Sequence, residues 1–207
     1  MALNRRSAAL RLQAMRPSDP RRRATYADLE KVPPEKVAEL IDGVLHVNPR
    51  PASPHARAAT RVGLLVGPFD RGGGTGSEDP PGPGGWIILL EPELHLGEDV
   101  LVPDWAGWRR QRMPEMPDTA AFTLAPDWVC EVLSESTAGV DRGEKLPIYA
   151  RAGVRHLWLA DPGARTLEVF RLDGDGWRLA GVHAADARIR AEPFDALELP
   201  LGALWER

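Results

Sequence analysis

The sequence has almost no cysteine and no long apolar run, and each absence excludes a class of protein. Cys130 is the only cysteine among 207 residues, so an internal disulfide and a zinc site built from several cysteines are both excluded. No stretch approaches the ~18 consecutive apolar residues of a membrane-spanning helix. The first residues also lack the apolar core of a secretory signal. We therefore expect a protein of the reducing cytoplasm with no membrane partner.

Lysine is also scarce, and this scarcity draws attention to one residue. Beyond residue 37 the chain holds 16 arginines but a single lysine, Lys145. An ammonium is a compact charge with a tunable pKa, whereas a guanidinium is a flat fork that stays protonated. The bias indicates a task at this position that arginine cannot perform. The alternative is a solvated lysine on a helix surface.

The charge is unevenly distributed along the chain. Residues 1–23 contain seven arginines and one aspartate, and because the whole chain has a net charge of −4, residues 24–207 carry −10. Nucleic-acid affinity comes largely from phosphate neutralisation, so an acidic body counts against such a partner unless its carboxylates bind divalent cations. We expect the basic tail 1–23 to be disordered, with a weak nucleic-acid arm as the alternative. Residues 24–207 have the length of a single domain.

The spacing of apolar residues predicts an α/β domain that begins near Thr25. Asp42-Gly43 between two apolar runs indicates a two-residue hairpin turn, because both positions need a positive φ. Ser53-Pro54 fits an N-cap followed by proline at the first helical position. In chain order we predict a capped helix at Thr25–Glu30, a hairpin within Ala38–Val47, a helix over 54–67, a mobile glycine-rich loop over 70–85, and strands at Trp86–Leu96 and Leu101–Trp108.

The segment Pro126–Pro162 has the densest pattern. It predicts a strand, a helix and a second strand, a run that usually forms a right-handed crossover between neighbouring strands. A hairpin joined by Asp-Gly-Asp-Gly follows. The predicted elements are Trp128–Leu133, 144–152, Val154–Ala160, Thr166–Leu172 and Trp177–Val182.

Glu131 lies in the middle of the predicted strand Trp128–Leu133. Side chains alternate along a strand, so Glu131 shares one face with Asp127, Val129 and Leu133. A carboxylate at such a position is costly unless it is paired or holds a cation. Both a bound metal ion and a salt bridge to an arginine meet this requirement.

Asp104, Glu131 and Lys145 follow one another in the chain, each at the edge of an apolar segment. An Asp, a Glu and a Lys in that order can form a metal-dependent site that cuts phosphodiester bonds. Pro147 is compatible with a helix that starts near Glu144, because the first N–H groups of a helix have no acceptor within it. Lys145 would then project from the first turn, with Asp141 as a cap or a neighbour.

Several motifs surround these three residues. They are Glu39-Leu-Ile-Asp-Gly43, Ser53-Pro-His55, Val102-Pro-Asp104, Pro126-Asp-Trp-Val-Cys-Glu131-Val-Leu-Ser134, Asp141-x-x-x-Lys145-x-x-x-Tyr149-x-x-x-Gly153 and His156-Leu-Trp158-Leu-x-Asp161. From about Thr25 to the C-terminus, the chain resembles the Uma-type family of predicted restriction endonucleases, which is similar to the wider PD-(D/E)XK nuclease superfamily. The resemblance implies an α/β fold with a restriction-endonuclease-like mixed sheet flanked by helices. To this core the predicted pattern adds an N-terminal and a C-terminal hairpin.

The resemblance also implies roles for individual residues. Asp104 and Glu131 match the two acids, which would hold Mg²⁺ or Mn²⁺ together with the main-chain carbonyl of Val132. In the wider superfamily the lysine stands two residues after the second acid, where this chain has Leu133. The resemblance implies that Lys145 on the following helix replaces it. Supporting roles are expected for Glu39, His55 and Asp141, although a lone histidine near a helix start often only caps or packs.

The implied activity is that of a Mg²⁺-dependent endonuclease, with nucleic acid, above all DNA, as partner and a homodimer as a possible assembly. Arg109, Arg110 and Arg112 follow the Asp104 strand and could contact phosphates, or could form a solvated loop of charge. Two other functions remain open at this stage. One is a non-catalytic interaction protein that keeps the nuclease fold, and the other is a two-carboxylate hydrolase such as a glycosidase, which needs no metal.

Overall fold

The computed structural model describes residues 23–70 and 82–206, which form thirteen strands and five α-helices. The strands are β1 (Lys36–Ile41), β2 (Val44–Pro49), β3 (Trp86–Leu90), β4 (Glu93–Leu96), β5 (Asp99–Leu101), β6 (Trp105–Arg109), β7 (Ala121–Phe122), β8 (Trp128–Val132), β9 (His156–Asp161), β10 (Thr166–Asp173), β11 (Gly176–Ala184), β12 (Arg188–Ile189) and β13 (Leu199–Pro200). The helices are α1 (Tyr26–Leu29), α2 (Ser53–Val66), α3 (Ala138–Val140), α4 (Leu146–Arg151) and α5 (Gly202–Trp205), with a 3₁₀ turn at Gly67–Phe69 and a π-helical turn at Asp141–Lys145.

The larger sheet contains six strands in the order β11-β10-β9-β8-β6-β3. Strands β8 and β9 are parallel, with Trp128 opposite His156, and every other neighbouring pair is antiparallel. The helical segment from α3 to α4 connects β8 to β9. The predicted strand–helix–strand unit and the mixed sheet flanked by helices are therefore confirmed.

The two hairpins differ in how they join the fold. The C-terminal hairpin β10–β11 extends the larger sheet at its edge. The N-terminal hairpin β1–β2 instead belongs to a second sheet of five strands, in the order β2-β1-β5-β4-β7. Its turn has φ angles of 48° at Asp42 and 80° at Gly43, as the hairpin prediction required.

The predicted strands Trp86–Leu96 and Leu101–Trp108 are wrong as continuous elements, because the chain passes between the two sheets within each of them. The first divides at Glu91, which has a φ of 47° and precedes Pro92. The second divides at Val102–Asp104, where Pro103 has no N–H to continue a ladder. Apolar periodicity alone did not reveal these breaks. They matter because the second one carries Asp104.

The larger sheet has an apolar core on each face. On one face Trp128, Cys130 and Val132 pack in a cluster with α2 and with the C-terminal segment around Phe194. On the other face Val129 and Leu133 pack with α4 and with the second sheet. The alternation predicted for strand β8 is thus confirmed, and it places Glu131 on the face covered by α4.

Helix α2 confirms the predicted helix over 54–67, and its buried face includes Ala58, Val62 and Val66. Its start is one residue earlier than predicted, with Ala52 at the N-cap and without a side-chain cap hydrogen bond, so the capping role predicted for Ser53 is wrong. The predicted capped helix at the start of the body is present as α1, where the Asp28 carboxylate accepts the N–H of Thr25 at 3.0 Å.

Two predictions concern segments outside the described residues. They are the disorder of the basic tail, of which only Arg23 is described, and the mobility of the glycine-rich loop, most of which lies in residues 71–81. Within the described part of the chain, no helix is long and apolar enough to cross a membrane.

Candidate active site

Glu131 lies near the carboxyl end of β8 and is 2 % exposed. Its Oε1 accepts a hydrogen bond from the Tyr149 hydroxyl at 2.6 Å and lies 3.4 Å from the Lys145 ammonium. The buried partners that the sequence required for this carboxylate are therefore a lysine and a tyrosine from the helical segment that follows the strand.

Lys145 has more than one carboxylate around it. Its Nζ lies 2.9 Å from Glu39 Oε1 and 3.1 Å from Asp141 Oδ1, in addition to Glu131. All four side chains are at most 5 % exposed. We call Glu39, Glu131 and Asp141 with Lys145 the carboxylate cluster. It contains three potential negative charges and one positive charge, and the solvated-lysine alternative is wrong.

The π-helical turn determines which side chains reach Glu131. The helical segment carries Asp141, Lys145 and Tyr149 at intervals of four residues. In a regular α-helix, side chains four residues apart differ in direction by about 40° around the helix axis. The wider π-helical turn at Asp141–Lys145 reduces that drift, so all three remain on the buried face. Pro147 is the second residue after the turn, in the first turn of α4, where the absence of its N–H is accommodated. The helical segment begins at Ala138, so the predicted start near Glu144 is wrong and Lys145 is not in a first turn.

Asp104 joins the same strand end from a different segment. It lies between β5 and β6, and its Oδ2 accepts the backbone N–H of Val132 at 2.7 Å. This hydrogen bond fixes the carboxylate of Asp104 beside the backbone of Val132, the residue that follows Glu131. His55, in the first turn of α2, brings its Nε2 to 3.4 Å from the same oxygen.

Glu39 connects the second sheet to the cluster. It lies on β1, and its Oε1 accepts the backbone N–H of Val102 at 2.9 Å as well as contacting Lys145. The N-terminal hairpin thus contributes one of the cluster's three carboxylates, in keeping with the supporting role predicted for Glu39.

These residues face one cleft. Asp104, Glu131, Val132 and Lys145 line a cavity of about 210 Å³ that also reaches Glu39, His55, Asp141 and Arg50. At ~30 Å³ per water, the cavity could hold about seven water molecules. That is the scale of a hydrated ion beside a phosphate group, and it is too small for a nucleic-acid strand.

The pKa shifts follow from burial and from the excess of carboxylates. Burial raises the pKa of Glu131 well above its usual range, and the positive charge of Lys145 opposes this only in part. For Lys145, burial alone would lower the pKa, but the charges of Glu131, Glu39 and Asp141 outweigh it and hold the pKa well above its usual value. Lys145 is therefore an ammonium at neutral pH.

The pKa values of Tyr149 and His55 are also shifted by neighbouring carboxylates. Burial, followed by the charges of Glu131 and Glu39, raises the pKa of the Tyr149 hydroxyl, which keeps it protonated as a donor to Glu131. Burial would lower the pKa of His55, but the hydrogen bond and charge of Asp104 produce a net increase. The structure therefore places the His55 imidazole beside the Asp104 carboxylate.

The donor set fits a hard divalent cation in its chemistry, although its present arrangement is not that of a finished metal site. Among the described residues, no group of three or more His, Cys, Asp or Glu side chains has the geometry to hold a metal ion. The Lys145 ammonium occupies the space between Glu39, Glu131 and Asp141. The excess of buried carboxylate oxygens still favours a cation such as Mg²⁺ or Mn²⁺, which prefers oxygen ligands.

The three arginines predicted as phosphate contacts lie elsewhere. Arg109 is the last residue of β6 and lies five residues after Asp104, a distance of about 17 Å along an extended chain. Its guanidinium lies over the Trp86 ring at 4.5 Å, Arg110 donates to the Pro114 carbonyl, and Arg112 pairs with Asp127 at 3.0 Å. The structure does not bring these residues to the cleft, whereas Arg50, which sequence reasoning missed, lines it.

Tyr149 also received no role from the sequence, although a signal was present. The spacing of Asp141, Lys145 and Tyr149 places all three on one face of a helix, and Glu131 already required buried partners. Arg50 had no comparable signal, because it lies between β2 and α2 and its position depends on how the second sheet packs.

Comparison with known proteins gives the family. Residues 23–202 match the model of the Uma2 family, described as "Putative restriction endonuclease". The chain belongs to this family. The match covers nearly all of the described residues, including every member of the carboxylate cluster. No curated protein matches the chain.

One solved structure is similar over nearly its whole length. It is the crystal structure of a "putative nuclease belonging to DUF820" from Anabaena variabilis, with 22 % sequence identity and a TM-score of 0.66. The similarity covers 87 % of this chain and 97 % of that chain. This Uma2 chain therefore has the fold of that protein.

Proposed function

We propose that this protein is a divalent-metal-dependent nuclease that hydrolyses phosphodiester bonds, with DNA as its substrate. The observation that carries the proposal is the convergence of Asp104, Glu131 and Lys145 at one end of β8, in one cleft, from three separate segments of the chain. Membership of the Uma2 family supports a nuclease.

In this proposal Asp104 and Glu131 hold Mg²⁺ or Mn²⁺ together with the main-chain carbonyl of Val132. The ion, when bound, supplies Lewis-acid polarisation of the scissile phosphate. Asp104 is kept in place by the N–H of Val132. Tyr149 and Lys145 both contact Oε1 of Glu131 and so orient the carboxylate that would hold the ion.

Lys145 acts as a fixed positive charge. Because the neighbouring carboxylates raise its pKa, it donates hydrogen bonds and offsets negative charge on the phosphoryl oxygens in the transition state. Glu39 and Asp141 position its ammonium. Arg50 lies in the same cleft and provides a contact for a flanking phosphate.

The second candidate function is a non-catalytic interaction protein with the same fold. Two observations favour it. Lys145 already occupies the space between the carboxylates, and the body carries a net charge of −10. Loss of metal binding during evolution would produce the same features.

A plasmid-nicking assay in Mg²⁺ tests the proposal. We expect wild-type protein to nick the plasmid, and Asp104→Asn and Glu131→Gln to be inactive. Asp127→Asn is the matched control, because Asp127 is a buried carboxylate on the same strand face but outside the cleft, and it should retain activity. Nicking that is unchanged in both cluster variants would exclude the site.

A second pair of variants tests the lysine. Lys145→Ala should lower the turnover rate by a hundredfold or more, equivalent to about 3 kcal/mol of transition-state stabilisation. It should leave Mn²⁺ affinity equal or slightly higher, since a nearby positive charge repels the ion. Lys145→Arg should not restore full activity, because the guanidinium is bulkier than the ammonium.

A further inference from the structure

A second groove opens beside the cleft, and its walls are almost entirely apolar. Helix α2 provides one wall with Ala56, Gly63 and Leu64, and the end of β3 with the start of β6 provides the other with Leu90 and Trp105. The groove has a volume of about 410 Å³. We call it the side groove.

The side groove is continuous with the cleft. Pro51, His55, Glu91 and Asp104 line both. Asp104 is a proposed ligand of the catalytic ion, so a phosphate held there would have its adjoining nucleotide at the entrance of the side groove. A ligand that extends from the cleft in this direction meets an apolar surface.

Trp105 gives the groove a fixed aromatic surface. Its indole N–H donates to the Ala59 carbonyl at 2.8 Å, and its ring lies against Gly63, where an added Cβ would come within 2.3 Å of the ring. The indole is therefore held by the helix backbone on one side while part of it remains exposed. Planar ligands stack well on such a preorganised ring.

Leu64 and Leu90 are unusually exposed for leucines. Their exposed fractions are 63 % and 55 %, and both line the side groove. Apolar side chains concentrated in a groove next to polar reactive groups indicate that a ligand covers them. The ligand combines an apolar or aromatic part, which covers the leucines, with a polar part that reaches the cleft.

The acidic body favours a nucleic acid that the protein can bind through its bases as well as through its phosphates. A protein that grips a duplex through its phosphates needs a basic surface, and residues 24–207 carry −10. Stacking of an unpaired base on apolar and aromatic side chains adds affinity that does not come from phosphate neutralisation, and it tolerates any sequence. A paired base is already stacked within its helix and cannot enter a groove without leaving it.

We infer that the side groove binds the unpaired base of the nucleotide next to the scissile phosphate. The substrate is then a nucleic acid whose strand is unpaired at the point of cleavage, which in the nicking assay is a transiently opened segment of the supercoiled plasmid. This inference rests on the proposed nuclease function, because Asp104 places the phosphate.

Binding of labelled oligonucleotides in Ca²⁺, measured by fluorescence anisotropy, tests the inference without turnover. We expect wild-type protein to bind a 12-nucleotide single strand at least tenfold more tightly than the matching duplex. The double variant L64S/L90S should lose about tenfold in affinity for the single strand and little for the duplex. Leu179→Ser is the control, since Leu179 is 50 % exposed on β11, away from the groove, and its affinity should not change.

A single abasic position moved along the strand locates the contact, because it removes one base and keeps every phosphate. We expect one register at which the abasic strand binds wild-type protein several-fold more weakly. That penalty should disappear in L64S/L90S. If the base contacts the two leucines, removing either partner removes the same interaction. An abasic penalty of equal size in wild type and variant would overturn the inference.

The remaining outcomes separate this inference from the nuclease proposal. Equal affinity for single strand and duplex, no measurable binding of either, or equal losses for both in L64S/L90S would each contradict an unpaired-base site. Plasmid nicking that still depends on Asp104 and Glu131 would leave the nuclease proposal standing in all three cases. If L64S/L90S binds every oligonucleotide normally, the leucines serve another partner such as a protein, and the inference is wrong.

Discussion

Two buried carboxylates, Asp127 just before β8 and Glu131 within it, point to the same face of the sheet but have different charged neighbours. Asp127, just before the strand, is 0 % exposed, pairs with Arg112 at 3.0 Å and accepts the Arg109 N–H at 2.9 Å. Glu131, near the carboxyl end, shares one ammonium with two further carboxylates. Asp127 has the guanidinium of Arg112 to itself, whereas Glu131 shares the ammonium of Lys145 with Glu39 and Asp141.

The difference separates a structural ion pair from a functional site. A one-to-one ion pair with a backbone hydrogen bond neutralises and anchors a buried carboxylate, and folding alone explains it. Three buried carboxylates around one ammonium leave a charge excess that costs stability. Such an excess is typical of sites that bind a cation or perform chemistry.

The largest expected effect on stability comes from placing a lysine two residues after Glu131, at Leu133. Leu133→Lys should destabilise the protein by about 4 kcal/mol or more, because Leu133 is 4 % exposed within the apolar core under α4. Urea unfolding measures the loss. Leu133→Met, which keeps the volume, should cost less than about 1.5 kcal/mol. A stable Leu133→Lys protein would show that this end of β8 tolerates a second ammonium.

The next effect compares the two cations directly. In metal-free buffer, Arg112→Met and Lys145→Met should each lower the free energy of unfolding by about 3 kcal/mol, because each leaves buried carboxylate without its partner. Mn²⁺ should restore most of the melting temperature of Lys145→Met, since an ion can take the place of the ammonium. It should not restore Arg112→Met. Equal responses of the two variants to Mn²⁺ would remove the distinction between the two carboxylates.

A smaller effect is expected from the Tyr149 hydroxyl. Tyr149→Phe should cost about 2 kcal/mol in urea unfolding, because it removes a buried donor to a carboxylate. Tyr26→Phe is the matched control, since Tyr26 donates to Glu93 at 2.8 Å on the surface, and we expect a cost below about 0.5 kcal/mol. If both variants lose the same free energy, Tyr149 has no special part in holding Glu131.

The last effect, which is the smallest when a single pH unit is considered, is the pH dependence of the free energy of unfolding. The folded-state pKa of Glu131 is raised, so its contribution to stability is complete below the unfolded value of about 4.3 and is lost as the pH rises through the folded value. Metal-free protein should therefore lose up to about 1.4 kcal/mol per pH unit in that window. The raised pKa of His55 has the same sign at higher pH.

Glu131→Gln isolates the contribution of Glu131 to this slope. The variant should be less sensitive to pH than wild-type protein when melting temperatures are compared without metal. With Mn²⁺ the wild-type slope should reverse, because the ion binds the ionised carboxylate. Parallel melting curves for the two proteins would contradict the assigned pKa shift.

How much the sequence predicted depends on the range of the interactions involved. The alternation along β8, the hairpin at Asp42-Gly43 and the crossover to β9 are local patterns, and all are confirmed. The breaks at Glu91 and Pro103 were missed, because both flanking segments are apolar and only the second sheet explains why the chain turns.

The candidate site shows the same division. Glu131 could be selected from the sequence because a carboxylate inside an apolar strand is energetically costly. Lys145 could be selected because it is the single lysine beyond residue 37. The π-helical turn, the contact between Glu39 and Lys145, and the position of Arg50 depend on packing between the two sheets. Arg109 and Arg112 were selected by their proximity in sequence to Asp104, but an extended strand carries residues away from its start.

Calorimetric titration of the metal-free protein with Mn²⁺ tests the central claim most directly. We expect one ion to bind wild-type protein and Asp127→Asn with the same affinity, and no measurable binding to Asp104→Asn or Glu131→Gln. That result would assign the cation to the carboxyl end of β8. Binding that survives in both cluster variants, or is lost in Asp127→Asn while that variant stays folded, would contradict it.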